Sequence, residues 1–319
     1  MFRPFFIYLS KAAWARKIVS HWGVMRSVAT RFVAGDVLDD AIRVIQTLNQ
    51  KGINATLDLL GENTEIAYDA EKKTQEIVGV LAAIEQSGVR SNVSVKLTQL
   101  GLVFDPDLCL KNLSTILDYA RKSKNFIRVD MEDSTVTQAT LDIIYQIRDR
   151  GYENTGIVIQ SYLYRSIDDL LKLTDRAIPV RLCKGAYKEP NSVAYPHKND
   201  VDAAYDRLAT CLLKGALKHG SPAISSNGKI PPLPSLATHD MRRIDFAKQT
   251  ARRLGLPKNS LEFQMLYGIR RDLQEQLAGE GFPVRVYVPY GTQWYPYYMR
   301  RLGERPANVW FIVSNFFKN

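Results

Sequence analysis

Lys96, Asp130, Gln160, Arg181, Lys184, Thr238 with His239, Gln264 and Tyr287 each interrupt or directly follow a short apolar, β-branched run. A strand that breaks its own hydrophobicity must pair the polar group, because an unsatisfied buried one costs about 1–3 kcal/mol. One such residue is usually a solvated or paired structural group. Eight such positions on seven runs point instead to a shared site. The set is cationic and amide-rich, which suits an anionic cofactor and an anionic substrate better than hydrolysis. Lys96 and Asp130 come from neighbouring runs, where two buried charges are costly unless they meet. They are therefore expected to meet.

A second constellation lies near the C-terminus, in YYMRRLGERPAN. Tyr297, Arg300, Arg301 and Glu304 fall at i, i+3, i+4 and i+7, one face of a helix. Pro306 stops that helix near Arg305 and leaves Asn308 outside it. Two planar guanidinium groups can grip a carboxylate with forked hydrogen bonds, with Glu304 bracing one fork and Tyr297 packing on the substrate. The competing reading is a surface helix end whose arginines complement the helix dipole.

Other chemistries lack their residues. His239 is one of four histidines, and no HExxH, HxH or carboxylate-rich cluster supports a metal. No G-x-S-x-G elbow, G-x-G-x-x-G fingerprint or P-loop occurs. Cys109, Cys183 and Cys211 are odd in number and far apart, which fits a reducing cytosol rather than a disulfide framework. Two rival readings keep a feature each. A lysine at a strand end, Lys96 or Lys184, is what a Schiff-base aldolase requires. The net charge of +10 suits nucleic acid, although the aromatic-rich basic strip that such binding needs is missing.

The elements that must position these residues follow from the alternation of the chain. Eight apolar runs, at 54–62, 92–101, 126–133, 155–162, 178–187, 236–240, 261–268 and 284–291, are separated by helix-length amphipathic stretches such as Ala70–Gln86 and Ser134–Arg150. The count and rhythm predict an α/β fold, a (β/α)8 barrel, in which strand ends share one functional face. A doubly wound sheet is the alternative. The stretches 189–198 and 221–235 read as loops. A length of 319 residues fits one barrel, roughly 200–250 residues, with an appendage.

That appendage is residues 1–35, leaving 36–319 for the barrel. Before Asp36 there is no acidic residue, while Arg3, Lys11, Arg16, Lys17, Arg26 and Arg31 supply six of the ten excess charges. Trp14, Ile18, Trp22 and Met25 recur at helical spacing. The arm is expected to be helical and to cover part of the barrel, with peripheral membrane contact as the alternative. FFIYL is too short to span a bilayer, which takes about 20 apolar residues.

These residues resemble the proline dehydrogenases, the flavin-dependent enzymes of proline catabolism. YxxRRxxExxxN is similar to their signature helix, and SVKLTQLG, VDMED, VIQSY, VRLCKGAY, LATHD, EFQMLYG and VYVPYG follow the family in the same order, from about residue 30 to the end. The resemblance implies a distorted (β/α)8 TIM-type barrel that binds FAD without a Rossmann domain. It places Asp130 and Arg181 in the active site. Arg300 and Arg301, helped by Lys96, would pair with the proline carboxylate, and Tyr287 and Tyr297 would wall the ring. Met131, Gln160, Arg181, Lys184, Gly185, Ala186, Thr238, His239 and Gln264 match the cofactor-binding set, and Glu304 would be structural support.

The resemblance further implies hydride transfer to flavin N5, yielding Δ1-pyrroline-5-carboxylate, with a membrane quinone as electron acceptor at the inner face of the cell membrane. The chain is too short for the fused aldehyde dehydrogenase of some members, so a separate pyrroline-5-carboxylate dehydrogenase would complete the route to glutamate. Relatives specific for hydroxyproline carry a smaller residue where Tyr297 stands, which makes proline the expected substrate. Two departures stand out. Arg305-Pro306 follows the signature glutamate where many members have glycine, and THD at 238–240 replaces THN, which puts Asp240 where a flavin contact is expected.

Overall fold

The structure, a computed structural model, describes residues 31–61 and 63–304. Eight parallel strands pair in chain order and close on themselves: β1 Asn54–Leu59, β2 Ser91–Val95, β3 Ile127–Val129, β4 Thr155–Gln160, β5 Val180–Cys183, β6 Pro234–Ala237, β7 Glu262–Leu266 and β8 Val284–Tyr290. The closing pair is β1 with β8, Ala55 opposite Val286 and Leu57 opposite Val288. This is the expected barrel, not the doubly wound sheet.

Among the described residues nine α-helices accompany the strands: α1 Leu38–Gln50, α2 Ala67–Ser87, α3 Pro106–Lys122, α4 Thr137–Asp149, α5 Ser166–Asp175, α6 Lys198–Lys218, α7 Met241–Leu254, α8 Arg271–Gly279 and α9 Trp294–Glu304. Their seams are apolar at helical spacing; α2, for example, buries Ala70, Ile77, Val80, Leu81 and Ile84. Helix α3 starts where Asp105 accepts Leu108 N–H at 2.9 Å ahead of Pro106. None of the described helices is long and apolar enough to cross a membrane.

Three boundaries differ from expectation. The helix expected over 134–150 begins at Thr137, because Asp133 Oδ1 accepts Thr135 N–H in a local turn and Glu189 binds Ser134 N–H. Helix α2 extends three residues beyond its expected start. The sixth strand lies earlier than the run at 236–240, at the end of the stretch read as a loop. Pro234 has no N–H to give, but it opens the strand, and Leu233 C=O still accepts Val180 N–H at 2.9 Å.

The strands divide their faces sharply. Ala55, Leu57, Val93, Val95, Ile127, Val129, Ile157, Ile159, Val180, Leu182, Phe263, Met265, Val286 and Val288 belong to the main apolar core with the helices. The intervening residues include Thr56, Asp58, Ser94, Arg128, Asp130, Arg181, Glu262, Gln264, Arg285 and Tyr287. Arg181 of β5 reaches Thr56 of β1, Ser94 of β2 and Gln264 of β7, none of which is on an adjoining strand, so these side chains meet inside the barrel. Such interiors are usually filled with branched apolar residues. Here the lumen is polar.

Arg128 shows what that filling requires. It is fully buried, and Nη1 donates to Ile157 C=O at 3.0 Å and Pro179 C=O at 2.6 Å. Opposite it stands Gly156, where a Cβ would lie 2.2 Å from Pro179 O and 2.7 Å from Arg128 Nη1. Burial, and then repulsion from Arg181, push the Arg128 guanidinium well below its ordinary value.

A smaller cluster caps the barrel at β8. Phe32, Val33, Leu60, Ile269, Trp294, Tyr297, Tyr298 and Met299 are buried together. Ala34 N–H donates to Pro289 C=O and Gly291 N–H to Gly35 C=O, both at 2.9 Å, which lays residues 34–35 along the end of β8. The rest of the expected N-terminal arm lies outside the described residues.

Candidate active site

All eight strands end on one face, and the residues singled out in sequence collect there or just below. Asp130, one residue past β3, organises the centre. Its Oδ1 accepts Arg181 Nη1 at 3.0 Å and Ser94 Oγ at 3.1 Å, and its Oδ2 accepts Tyr287 OH at 2.8 Å. Lys96 Nζ lies 3.5 Å from Oδ2, so the expected meeting occurs. A carboxylate facing four donors is a fixed electrostatic anchor, not a free base.

Lys96 has a nearer partner, Asp58 at the end of β1, at 2.9 Å. Burial alone would lower the Lys96 ammonium, but Asp58 and Asp130 outweigh it and the net shift is upward. An amine held in its charged form is not a Schiff-base nucleophile, which must be neutral to attack. Burial, and then Asp130, raise the Tyr287 phenol well above its ordinary value. Tyr287 therefore stays a neutral donor, and the Arg181 guanidinium stacks over its ring at 5.3 Å.

Arg181 is held on three sides. Besides Asp130 and Ser94, its Nε donates to Gln264 Oε1 at 2.5 Å and its Nη2 approaches Thr56 Oγ1 at 3.4 Å. Gln264 thus supports Arg181 from mid-strand on β7, inside the lumen rather than at its rim.

Beyond β5 and β6 the chain builds an ionic rim. Lys184 Nζ donates to Asp202 at 2.5 Å and Asp240 at 2.9 Å, and Lys198 also pairs with Asp202. Asp240 Oδ1 accepts Arg242 N–H and so caps α7. Burial alone would raise both carboxyls, but the hydrogen bonds and charge of Lys184 hold them below the ordinary carboxylate range. The aspartate that departs from the family's THN thus has two assigned duties, cap and counter-ion.

The remaining members follow the same loops. Gly185 has φ +110°, and a Cβ there would lie 2.4 Å from the Tyr162 ring, so only glycine lets this turn close over Tyr162. Ala186 follows it, half-buried. Gln160 Nε2 donates to Glu132 C=O at 2.8 Å, and Thr238 Oγ1 accepts Asp240 N–H at 3.1 Å. His239 Nε2 accepts Leu266 N–H at 3.0 Å, which puts the proton of the neutral ring on Nδ1. Met131 is buried as part of the main apolar core.

Helix α9 brings Tyr297 into the cluster against which Tyr287 packs, so the two tyrosines share one wall. The Arg301 guanidinium lies 5.2 Å over the Tyr297 ring. The side chains of Arg300 and Glu304, and Asn308 as a whole, lie outside the described residues.

Sequence reading missed Asp58, Thr56 and Ser94, and below them Arg128, Glu262 and Arg285. Each sits at alternate positions inside an apolar run, as in NATLDL and SNVSVK. The signal was the period of two, carried through the strand rather than sought only at its end.

Comparisons with known proteins point to one family. The family model described as Proline dehydrogenase matches residues 41–314. The chain is 40% identical to Proline dehydrogenase 2 of Bacillus subtilis strain 168, covering 99% of each chain. It is 41% identical to the Proline dehydrogenase of Deinococcus radiodurans, over 92% of this chain and 91% of that one. Among solved structures, proline utilization A from Bdellovibrio bacteriovorus superposes with a TM-score of 0.77 at 26% identity, over 87% of this chain. The present chain spans 32% of that longer protein. With its closed barrel, its constellation around Asp130 and near full-length identity to these enzymes, the chain belongs to the proline dehydrogenase family.

Proposed function

We propose that this chain oxidises L-proline to Δ1-pyrroline-5-carboxylate with FAD as its cofactor. The observation that carries the reading is the cluster of Lys96, Asp130, Arg181 and Tyr287 at the barrel mouth, fixed ion pairs beside an aromatic wall. The chemistry of the donor set fits FAD. Guanidinium, ammonium, amide and hydroxyl groups stand ready for a polar ring system and a pyrophosphate, and Gly185 brings backbone to the rim without a side chain. Met131, Gln160, Lys184, Gly185, Ala186, Thr238 and His239 are the residues we assign to hold it, with Gln264 acting from below.

FAD, when bound, supplies the acceptor for the hydride leaving the ring carbon beside nitrogen. The protein's part is binding and electrostatics. Lys96, Arg300 and Arg301 hold the substrate carboxylate, and Glu304 braces the arginines. Tyr287 and Tyr297 flank the ring and exclude water. Arg181 is a preorganised cation where negative charge develops, and Asp130 fixes its direction.

A membrane quinone is the proposed final electron acceptor, and the basic arm of residues 1–35 is proposed to cover part of the barrel, with peripheral membrane contact on the cytoplasmic side as the alternative. The product, opened by water to glutamate semialdehyde, passes to a separate pyrroline-5-carboxylate dehydrogenase. The visible spectrum tests the core of this reading. A flavin band that bleaches on addition of L-proline is expected; a colourless protein that neither takes up FAD nor oxidises proline would overturn it.

A further inference from the structure

We infer that Glu262, on the floor of the barrel, is a positioning residue for Arg181 that acts through the amide of Gln264. The inference rests on the reading of Arg181 as part of the proline-oxidising site.

Glu262 is 0% exposed and Arg285 1%, and the two form a forked pair, Nε to Oε1 at 2.9 Å and Nη2 to Oε2 at 3.0 Å. Arg285 is itself anchored, donating to Ala55 C=O at 2.7 Å and Gly228 C=O at 2.8 Å. Were this only a structural ion pair, the carboxylate would serve Arg285 alone. It does not. Glu262 Oε1 also accepts Gln264 Nε2 at 2.5 Å.

That shared oxygen decides which way the Gln264 amide points. With its NH2 group turned to the carboxylate, its carbonyl must face Arg181 Nε, where the bond measures 2.5 Å. The reversed amide would set NH2 against a guanidinium N–H and C=O against a carboxylate, losing both bonds and leaving buried groups unsatisfied. A continuous line, Arg285–Glu262–Gln264–Arg181–Asp130, therefore runs from the barrel floor to its mouth. Asp130 and Ser94 fix one edge of Arg181, and the floor fixes the other.

Glu262→Met tests the relay. Methionine offers Gln264 no carboxylate oxygen, whereas a glutamine could keep its carbonyl toward both Arg285 Nε and Gln264 Nε2, so in the methionine variant the Gln264 amide loses its enforced orientation. We expect kcat/KM for proline to fall on the order of ten-fold. In a Gln264→Met background the same substitution should leave kcat/KM unchanged while still lowering the unfolding temperature. Equal fold-losses in both backgrounds would mean that Glu262 acts on the fold alone, and would overturn the relay.

A second readout needs neither substrate nor flavin. In protein labelled with 15N-arginine, the Arg181 Nε–H signal, assigned by its loss in Arg181→Lys, should shift and exchange faster with solvent in Glu262→Met. An unchanged signal would overturn the inference even if activity fell. If Glu262→Met does not fold, the paired variant Glu262→Met with Arg285→Met removes both charges together and must produce the same change at Arg181. A wild-type protein that fails to oxidise proline would refute the functional reading, while the resonance would still judge the relay.

Discussion

Lys96 stands closer to Asp58 than to Asp130, at 2.9 Å against 3.5 Å. The nearer carboxylate takes the ammonium, which leaves Asp130 free to serve Arg181 and Tyr287. A lysine whose folded value lies above 10.5 stabilises the protein fully below that pH and loses the contribution only as pH rises through the folded value.

Binding of a ring carboxylate that lacks the titrating amine should therefore show no alkaline loss attributable to Lys96 below pH 10.5. Asp58→Asn should bring that loss down into the assay range and raise the KM for proline. Because Lys96 keeps Asp130, the cost in stability should be about 1–3 kcal/mol, below that of breaking an isolated buried pair. Inhibition constants against pH and urea unfolding of both proteins check this; a profile identical to wild type would remove Asp58 from the site.

Gly185 lies so close to the Tyr162 ring that no side chain fits between them. Gly185→Ala places a methyl group 2.4 Å from the Tyr162 ring at φ +110°. Overpacking of this kind costs about 1–3 kcal/mol before backbone strain is added. Tyr162→Ala in the same chain should recover the steric part but not the strain. A double-mutant cycle on unfolding free energy measures the coupling, and additive losses would show that the two residues do not press on each other.

The ionic rim yields a prediction of opposite sign. Asp240→Asn keeps the α7 cap, since asparagine caps as well as aspartate, but removes one of two carboxylates from Lys184. The released ammonium should bind the FAD pyrophosphate more tightly. Lys184 and Asp240 are each about a quarter exposed, so the gain is limited to roughly 0.2–1 kcal/mol, or a few-fold in Kd, and should shrink with added salt. Fluorescence titration of the flavin at two ionic strengths checks it; weaker binding would assign Asp240 a direct flavin contact instead.

Much of this site was legible before the fold was known, for a reason particular to barrels. Parallel strands of one sense deliver their ends to one face, so Lys96, Asp130, Gln160, Lys184 and Thr238 could be grouped by their place after each apolar run. Met131 and Gln264 carried their labels less well: one turns its side chain to the core and the other lies below the mouth. The first follows from the period of two, which sends Met131 to the face opposite Asp130, and the second from the place of Gln264 in the middle of β7. The floor, with Arg128, Glu262 and Arg285, was hidden because charged residues inside strands look improbable until their partners are known. Those partners come from other strands, 23 residues away for Glu262 and Arg285 on neighbouring β7 and β8. No local pattern records such a pairing.

Tyr297 gives the last prediction, on specificity. It is 6% exposed, packs in the cluster that Tyr287 adjoins, and carries the Arg301 guanidinium over its ring at 5.2 Å. Its ring therefore has two functions in the proposed site, as a wall against the substrate and as a platform for a carboxylate-binding arginine. Tyr297→Ser removes both. Loss of the wall opens space where a 4-hydroxyl would clash, so the ratio of kcat/KM for hydroxyproline to that for proline should rise. Loss of the platform lets Arg301 wander and should raise KM for both substrates, since a cation–π contact contributes about 0.5–2 kcal/mol. Tyr297→Phe separates the two: it keeps wall and platform, and should leave both the ratio and KM close to wild type. Steady-state kinetics with both substrates on the three proteins decide it. A ratio unchanged in Tyr297→Ser would place the specificity wall elsewhere, whereas a changed ratio with unchanged KM would leave Tyr297 as a wall and free Arg301 from dependence on it.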